Sequence, residues 1–193
     1  LNGNIEIDPS TGNLSIAETD FRKVGQLSPR YTMGWSNSFG YKGIELGAVL
    51  TARIGGLTYS ATQGVLDYSG ASQATADARD RGGIPINYGT ADPQKYYSAI
   101  STAEGGYGAY YLYSTTNVRL QELSLQYTLP ARWFRNKARL TVGFVANNLW
   151  MIYCKAPFDP EISAATDNAY YQGVDYFMQP STRNFGFNVK LQF

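Results

Sequence analysis

Residues 183–193 set apolar and polar side chains in strict alternation. Phe185, Phe187, Val189, Leu191 and Phe193 take the odd positions, and Asn184, Gly186, Asn188, Lys190 and Gln192 the even ones. An extended chain turns successive side chains to opposite faces, so this segment is expected to be a strand with one apolar and one polar or small face. The pattern recurs upstream. Tyr31, Met33, Trp35, Phe39 and Tyr41 share one phase, broken only by Asn37, and Thr32, Gly34, Ser36, Ser38 and Gly40 share the other. After a short turn at Lys42-Gly43, Ile44, Leu46, Ala48, Leu50, Ala52 and Ile54 oppose Glu45, Gly47, Val49, Thr51 and Arg53. Further on, Ala138, Leu140, Val142, Phe144 and Ala146 oppose Arg139, Thr141, Gly143 and Asn147. Between these lies a strand with a phase change. Val118 and Leu120 keep one phase, and Leu123, Leu125, Tyr127 and Leu129 the other, so a β-bulge is expected at Gln121-Glu122, with Pro130 ending the strand.

Five long strands follow from this reading. A loop over 1–28 precedes a hairpin over 30–55, a long loop over 56–116, a second hairpin over 117–148, a loop over 149–182 and a terminal strand over 183–193. Asp8, Ser10 and Gly12 are read as turn chemistry, since the acidic residues that would continue a calcium loop are missing. Within the first long loop, an Ala-rich stretch over 71–81 and a stretch over 93–100, capped by Asp92-Pro93, are expected to be short helices. The glycine-rich pieces at 81–83 and 105–108 read as hinges or turns; neither has the context of a phosphate-binding loop. The two short links fall at one end of the strands and the long loops at the other. Outer-membrane β-barrels sort their connections this way, and an eleven-residue strand at about 3.3 Å per residue, tilted by about 45°, spans their ~25 Å apolar band. The basic and aromatic link over 130–137, with Trp133 and Phe134, suits an interfacial anchor.

Composition narrows the function. Charged residues are only 16% and aromatics 15%, with 16 Tyr against 9 Phe and 3 Trp, a balance that fits sheets and interfacial girdles. A net charge of +1 offers no footprint for nucleic acid. The chain has no His, which removes the usual general base and the commonest metal ligand, and its single Cys154 cannot form an internal disulfide. No apolar run is long enough for a transmembrane helix, and a strand barrel keeps overall hydropathy low. The chain opens at Leu1 with no charged and apolar leader, so it is expected to be an internal or C-terminal piece, or to have lost a signal.

Several segments resemble one family in order. Pro29-Arg-Tyr-Thr-Met-Gly-Trp-Ser-Asn-Ser-Phe-Gly-Tyr-Lys-Gly43 and Val118-Arg-Leu-Gln-Glu-Leu-Ser-Leu-Gln-Tyr-Thr-Leu-Pro130 resemble strand motifs of the SusC-like, TonB-linked outer-membrane transporters of the Bacteroidetes. So do Val145-Ala-Asn-Asn-Leu149 followed by Asp159-Pro-Glu161, the close from Pro180-Ser-Thr-Arg183 to Phe193, and more loosely Asp77 to Gly83 and Asp92 to Tyr97. The resemblance implies an all-β fold: an antiparallel transmembrane barrel segment, about five long strands of a barrel of about 22 around a plug, with long extracellular loops carrying short helices.

It also implies nutrient import at the bacterial outer membrane, with oligosaccharides or peptides as cargo and a SusD-like surface lipoprotein as partner. TonB would act through a missing N-terminal part, and the plug, the remaining strands and the bilayer would complete the assembly. Gly186, Val189, Leu191 and Phe193 match the terminal-strand pattern that the barrel-assembly machinery reads. Ser36, Ser38, Glu45, Arg53, Arg139, Asn147 and Lys190 would line the lumen or face the plug. The alternative is a soluble β-sandwich binding or adhesion module. An enzyme is a distant third, for which acidic pairs such as Asp159 and Glu161 could in principle serve a glycosidase. No cofactor, metal site or catalytic residue is expected, and the ligand-binding residues are unknown.

Overall fold

The computed structural model describes residues 6–7, 14–15, 23–86, 89–101, 108–135, 137–162 and 172–193. The turn expected over 8–12, the glycines at 105–106 and Tyr170 and Tyr171 lie outside them. The chain forms two compact units, one built from residues 28–56, 114–162 and 179–193, the other from 1–27, 57–113 and 163–178.

The first unit is a single sheet of five long strands: β1 (Tyr31–Tyr41), β2 (Ile44–Ile54), β3 (Asn117–Thr128), β4 (Arg139–Cys154) and β5 (Asn184–Gln192). Their spatial order equals their order along the chain, and every neighbouring pair is antiparallel. The sheet is open, with β1 and β5 at its edges. Registry carries single rows across all five strands. Tyr41, Ile44, Tyr127, Val142 and Val189 form one apolar row, and Phe39, Leu46, Leu125, Phe144 and Phe187 the next. The alternate row, Gly40, Glu45, Gln126, Gly143 and Asn188, is polar or small. The apolar face is left largely uncovered: Phe187 is 83% exposed and Val189 70%.

Irregularities in two strands, β3 and β4, keep the faces sorted. Val49 pairs with Glu122 and Leu50 with Leu120, which leaves Gln121 as the extra residue of a bulge where the sequence changes phase. In β4 the register slips between Asn147 and Trp150, and Asn148 adopts a left-handed conformation with φ of 51°. Asn tolerates that region better than most residues, so the ladder resumes beyond it. Trp150 then pairs with Leu120 and Cys154 with Asn117. The strand therefore runs to Cys154, six residues beyond the end at 148 that alternation suggests, because a two-residue period cannot be followed by eye through a bulge. The β1–β2 turn has φ of 46° at Lys42 and 85° at Gly43, the two positive values of a type I′ hairpin. The link after β3 contains a 3-10 turn at Ala131–Phe134.

The second unit holds the two short helices expected over 71–81 and 93–100, together with elements that the sequence pattern did not name. Among its described residues are three α-helices, α1 (Ala61–Tyr68), α2 (Gln73–Asp80) and α3 (Pro93–Ser101). A three-stranded sheet combines Leu57–Ser60 with Leu112–Ser114 and, in parallel, Val174–Asp175. Two short antiparallel pairs complete it, Ile84–Ile86 with Gly89–Ala91, and Glu6–Ile7 with Leu14–Ser15 inside the stretch read as loop. Helix α1 had no sequence expectation. Ser60 caps it by accepting the Gln63 N–H at 3.2 Å, and Ser72 caps α2 through Thr75 in the same way. Ala78, Tyr97, Ile100 and Tyr111 form the core, with Tyr59, Ile84 and Tyr96 packed against it. Edge-on ring contacts join Tyr59 and Tyr110 to Tyr111. Several tyrosines that the sequence scatters through a loop are thus packing residues. Burial, then the nearby Asp67 carboxylate, pushes the Tyr111 phenol far above its ordinary range, so it stays protonated and donates to Asp67 Oδ2 at 3.0 Å.

A Cβ placed on Gly43 would lie 2.7 Å from the Thr128 carbonyl oxygen, at a φ that L-residues rarely adopt. Gly43→Ala is expected to destabilise the sheet by about 1–3 kcal/mol, measured as a lowered denaturant midpoint against the parent chain.

Candidate functional site

Four of the family-like segments meet at one polar cluster in the five-stranded unit. Arg119 lies on β3 with its side chain only 4% exposed, and Asp159, in the turn after β4, is 8% exposed. A buried guanidinium on a strand needs an anionic partner, and Arg119 Nη2 donates to Asp159 Oδ1 at 2.7 Å. Its Nη1 donates to Ser181 Oγ at 2.7 Å and reaches Asn148 Oδ1 at 3.4 Å. Asp159 is saturated further. Its Oδ1 accepts the Glu161 N–H at 3.2 Å, and its Oδ2 accepts the Ser181 N–H at 3.2 Å together with the Ser181 hydroxyl. Asn148 Nδ2 donates to the Thr182 carbonyl at 3.1 Å. Glu161 bridges Arg53 at 3.5 Å and Arg119 at 3.9 Å.

Two cations thus face two anions with no net charge left over. Burial opposes ionisation of Asp159, but the hydrogen bonds from Ser181 and Glu161 and the Arg119 guanidinium outweigh it and hold the carboxyl below its ordinary value of 3.8. A glycosidase acid needs the opposite shift, so Asp159 is not poised for that role. What the cluster can do is mechanical. It fastens residues 159–161 and 181–182, which flank one intervening stretch, to each other and to β3 and β4. Beside it, Arg119, Met151, Cys154, Phe158, Pro180 and Arg183 contribute to the lining of a cavity of about 360 Å³. The roles of Arg119, Asn148 and Ser181 were missed from sequence. The available signal was one Arg set between Val118 and Leu120 on the small, polar phase of its strand.

The strand residues singled out for assembly do not form a cluster. Val189 and Leu191 lie in apolar rows opposite Val142 and Leu140, and Phe193 follows β5, 98% exposed. Gly186 sits in the other phase, opposite Val145, where an added Cβ would come within 3.2 Å of Val145 Cγ1. Ser36, Ser38, Glu45, Arg53, Asn147 and Lys190 occupy the polar phase, with Arg139 at the start of β4 opposite Gln192. Among the described residues no group of His, Cys, Asp and Glu is arranged to hold a metal. No described helix is long and apolar enough to cross a membrane, which says nothing of strands.

Replacing Arg119 by Met strands a buried carboxylate. The loss is expected to be about 3–5 kcal/mol, read by thermal or denaturant unfolding, whereas Lys155→Ala, at an exposed position, stays near the parent. Because the folded-state pKa of Asp159 is depressed, its stabilisation is fully present above 3.8 and is lost as pH falls below that value. An acid titration of stability is expected to show a loss in that window that Asp159→Asn removes.

No protein-family model matches the chain. It is similar to a protein of Formosa agariphila described as TonB-dependent receptor P3, with 29% identity over 188 residues. The aligned region covers 94% of this chain and 18% of that relative, so the chain spans about a fifth of the length of the curated relative it matches. The similarity is thus to one stretch of a TonB-dependent receptor.

Proposed function

We propose that the chain forms five consecutive staves in the barrel wall of a TonB-dependent importer of the bacterial outer membrane. One observation carries this reading: a sequential antiparallel meander whose rows are apolar on one face, with that face uncovered. In water such a face is an aggregation hazard, and in a bilayer it is the lipid-facing wall. The similarity to a TonB-dependent receptor supports the same reading. A soluble β-sandwich module would require the face to be covered, and no observation favours it.

In this reading the polar rows, with Ser36, Ser38, Glu45, Arg53, Asn147 and Lys190, face the lumen or the plug. The long loops over 56–116 and 149–182 contribute to the outer vestibule. SusC-like resemblance extends the proposal to a SusD-like surface lipoprotein as partner and to oligosaccharides or peptides as cargo. TonB engages a part of the protein outside this chain. The remaining strands close the barrel, because five are too few where small barrels use about eight. Gly186, Val189, Leu191 and Phe193 serve as the strand signal for the barrel-assembly machinery. The chain is a transport component, not a catalyst.

Site-directed spin labelling of the complete protein in membranes tests the wall. In a Cys154→Ser background, labels at 185, 187 and 189 are expected to collide readily with oxygen and poorly with a nickel chelate. Labels at 186, 188 and 190 are expected to lose that oxygen preference. Loss of the two-residue period, or free chelate access at the odd positions, would sink the proposal.

A further inference from the structure

The short-link end of the five-stranded sheet carries positive charge that no described group neutralises. Arg132, Arg135, Lys137 and Arg139 stand in a stretch, 129–143, with no Asp or Glu. Lys42 adds a fifth cation from the β1–β2 turn, and the Thr128 N–H donates to the Gly43 carbonyl at 2.7 Å, which ties that turn to the end of β3. All five side chains are exposed. Among the described residues none of them is in an ion pair, whereas Arg53 and Arg119, towards the other end of β2 and β3, are bridged to Asp159 or Glu161. Glu45, the acidic residue of β2, lies in the polar phase opposite Gln126.

The backbone gathers these charges instead of stringing them out. The Trp133 N–H donates to the Pro130 carbonyl at 3.0 Å, Arg135 to Arg132 at 3.3 Å and Lys137 to Phe134 at 3.0 Å, so the link is wound into a compact turn. Arg135 takes a left-handed φ of 53°, unfavourable for a residue with a Cβ. Trp133, between the two arginines, is the largest side chain of the link and is 64% exposed.

An uncovered apolar row, Tyr41, Ile44, Tyr127, Val142 and Val189, lies immediately inside this end. Lys42 follows Tyr41 directly, with its Nζ 5.1 Å from the centroid of the Tyr41 ring. A guanidinium fork matches a phosphate with two parallel hydrogen bonds, and an ammonium meets it as a point charge. An indole settles where apolar and wet surroundings meet. An acidic protein surface would satisfy the cations, but it gives no use to an exposed Trp beside an uncovered apolar row. A lipid phosphate above a hydrocarbon layer uses all three features.

We propose that this end of the sheet is a docking surface for anionic phospholipid headgroups, with Arg132, Arg135, Lys137 and Lys42 on the phosphates and Trp133 among the headgroups. Arg139, at the start of β4 in the polar phase, adds to the local potential. The inference rests on the barrel-wall reading for a bilayer beside the apolar rows. The preference for anionic lipid rests on the unneutralised charge.

The test places the complete protein in nanodiscs containing a trace of photoreactive phosphatidylglycerol, with cross-linked peptides mapped by mass spectrometry. Cross-links are expected over 129–139, suppressed by excess phosphatidylglycerol and not by phosphatidylcholine. The triple change Arg132→Gln, Arg135→Gln and Lys137→Gln is expected to reduce them about tenfold, and the corresponding change of both arginines to Lys much less. All these positions are exposed, and the unfolding midpoint is recorded for each variant. Equal competition by phosphatidylcholine, or cross-linking unchanged in the triple variant, overturns the proposal. Suppression by soluble glycerol phosphate or by poly-glutamate at equal phosphate or carboxylate concentration also overturns it, since the surface would then serve a free anion or an acidic protein. The labels along β5 report contact with lipid whatever its headgroup, so failure of the lipid preference and failure of the barrel wall are separately visible.

Discussion

The two-residue period of the pleat, kept in phase across five hydrogen-bonded strands, is the constraint on which the large sheet depends. A slip of one residue in any ladder would send its apolar set to the polar face. Tyr41, Ile44, Tyr127, Val142 and Val189 share a row only because each pairing holds register. The register shifts at one surplus residue, Gln121 in β3, and at two points in β4, between Asn147 and Trp150 and between Met151 and Tyr153. The bulges therefore preserve the separation of faces rather than damage it.

Polar chemistry in that unit is concentrated where the long connections begin. Arg119 reaches Asp159, Ser181 and Asn148 at once, so a single guanidinium joins two strands and both flanks of an intervening stretch. Its burial makes the arrangement all-or-none, because removing either charge leaves the other desolvated. The same saturation that depresses the Asp159 pKa removes it from proton-transfer chemistry. The cluster is accordingly a fastening.

The second unit solves a different problem with similar means. Its core is small, and aromatic edges and hydroxyl donors do much of the packing. Tyr111 is wholly buried and still satisfies its hydroxyl on Asp67, while Ser60 both caps α1 and donates to Asp175 at 2.7 Å. Burying a carboxylate against neutral donors, Asp67 against Gln63 and Tyr111 and Asp175 against Ser60, is a device this unit uses twice among its described residues.

Sequence alone determined the strands, their faces and the bulge in β3, because a period of two is written locally, residue by residue. It also determined α2 and α3, through Ala-rich composition and the Asp92-Pro93 start, to within a residue or two. The convergence of Arg119 with Asp159 and Ser181, 40 and 62 positions away, was not legible, since no local pattern encodes which distant groups neutralise a buried charge. Helix α1 and the parallel pairing of Val174–Asp175 with Tyr59 and Ser60 were likewise decided by tertiary packing, as was the extension of β4 to Cys154. A short helix or a two-residue strand has too little propensity to form alone, and a left-handed Asn is stable only with a ladder waiting on both sides of it.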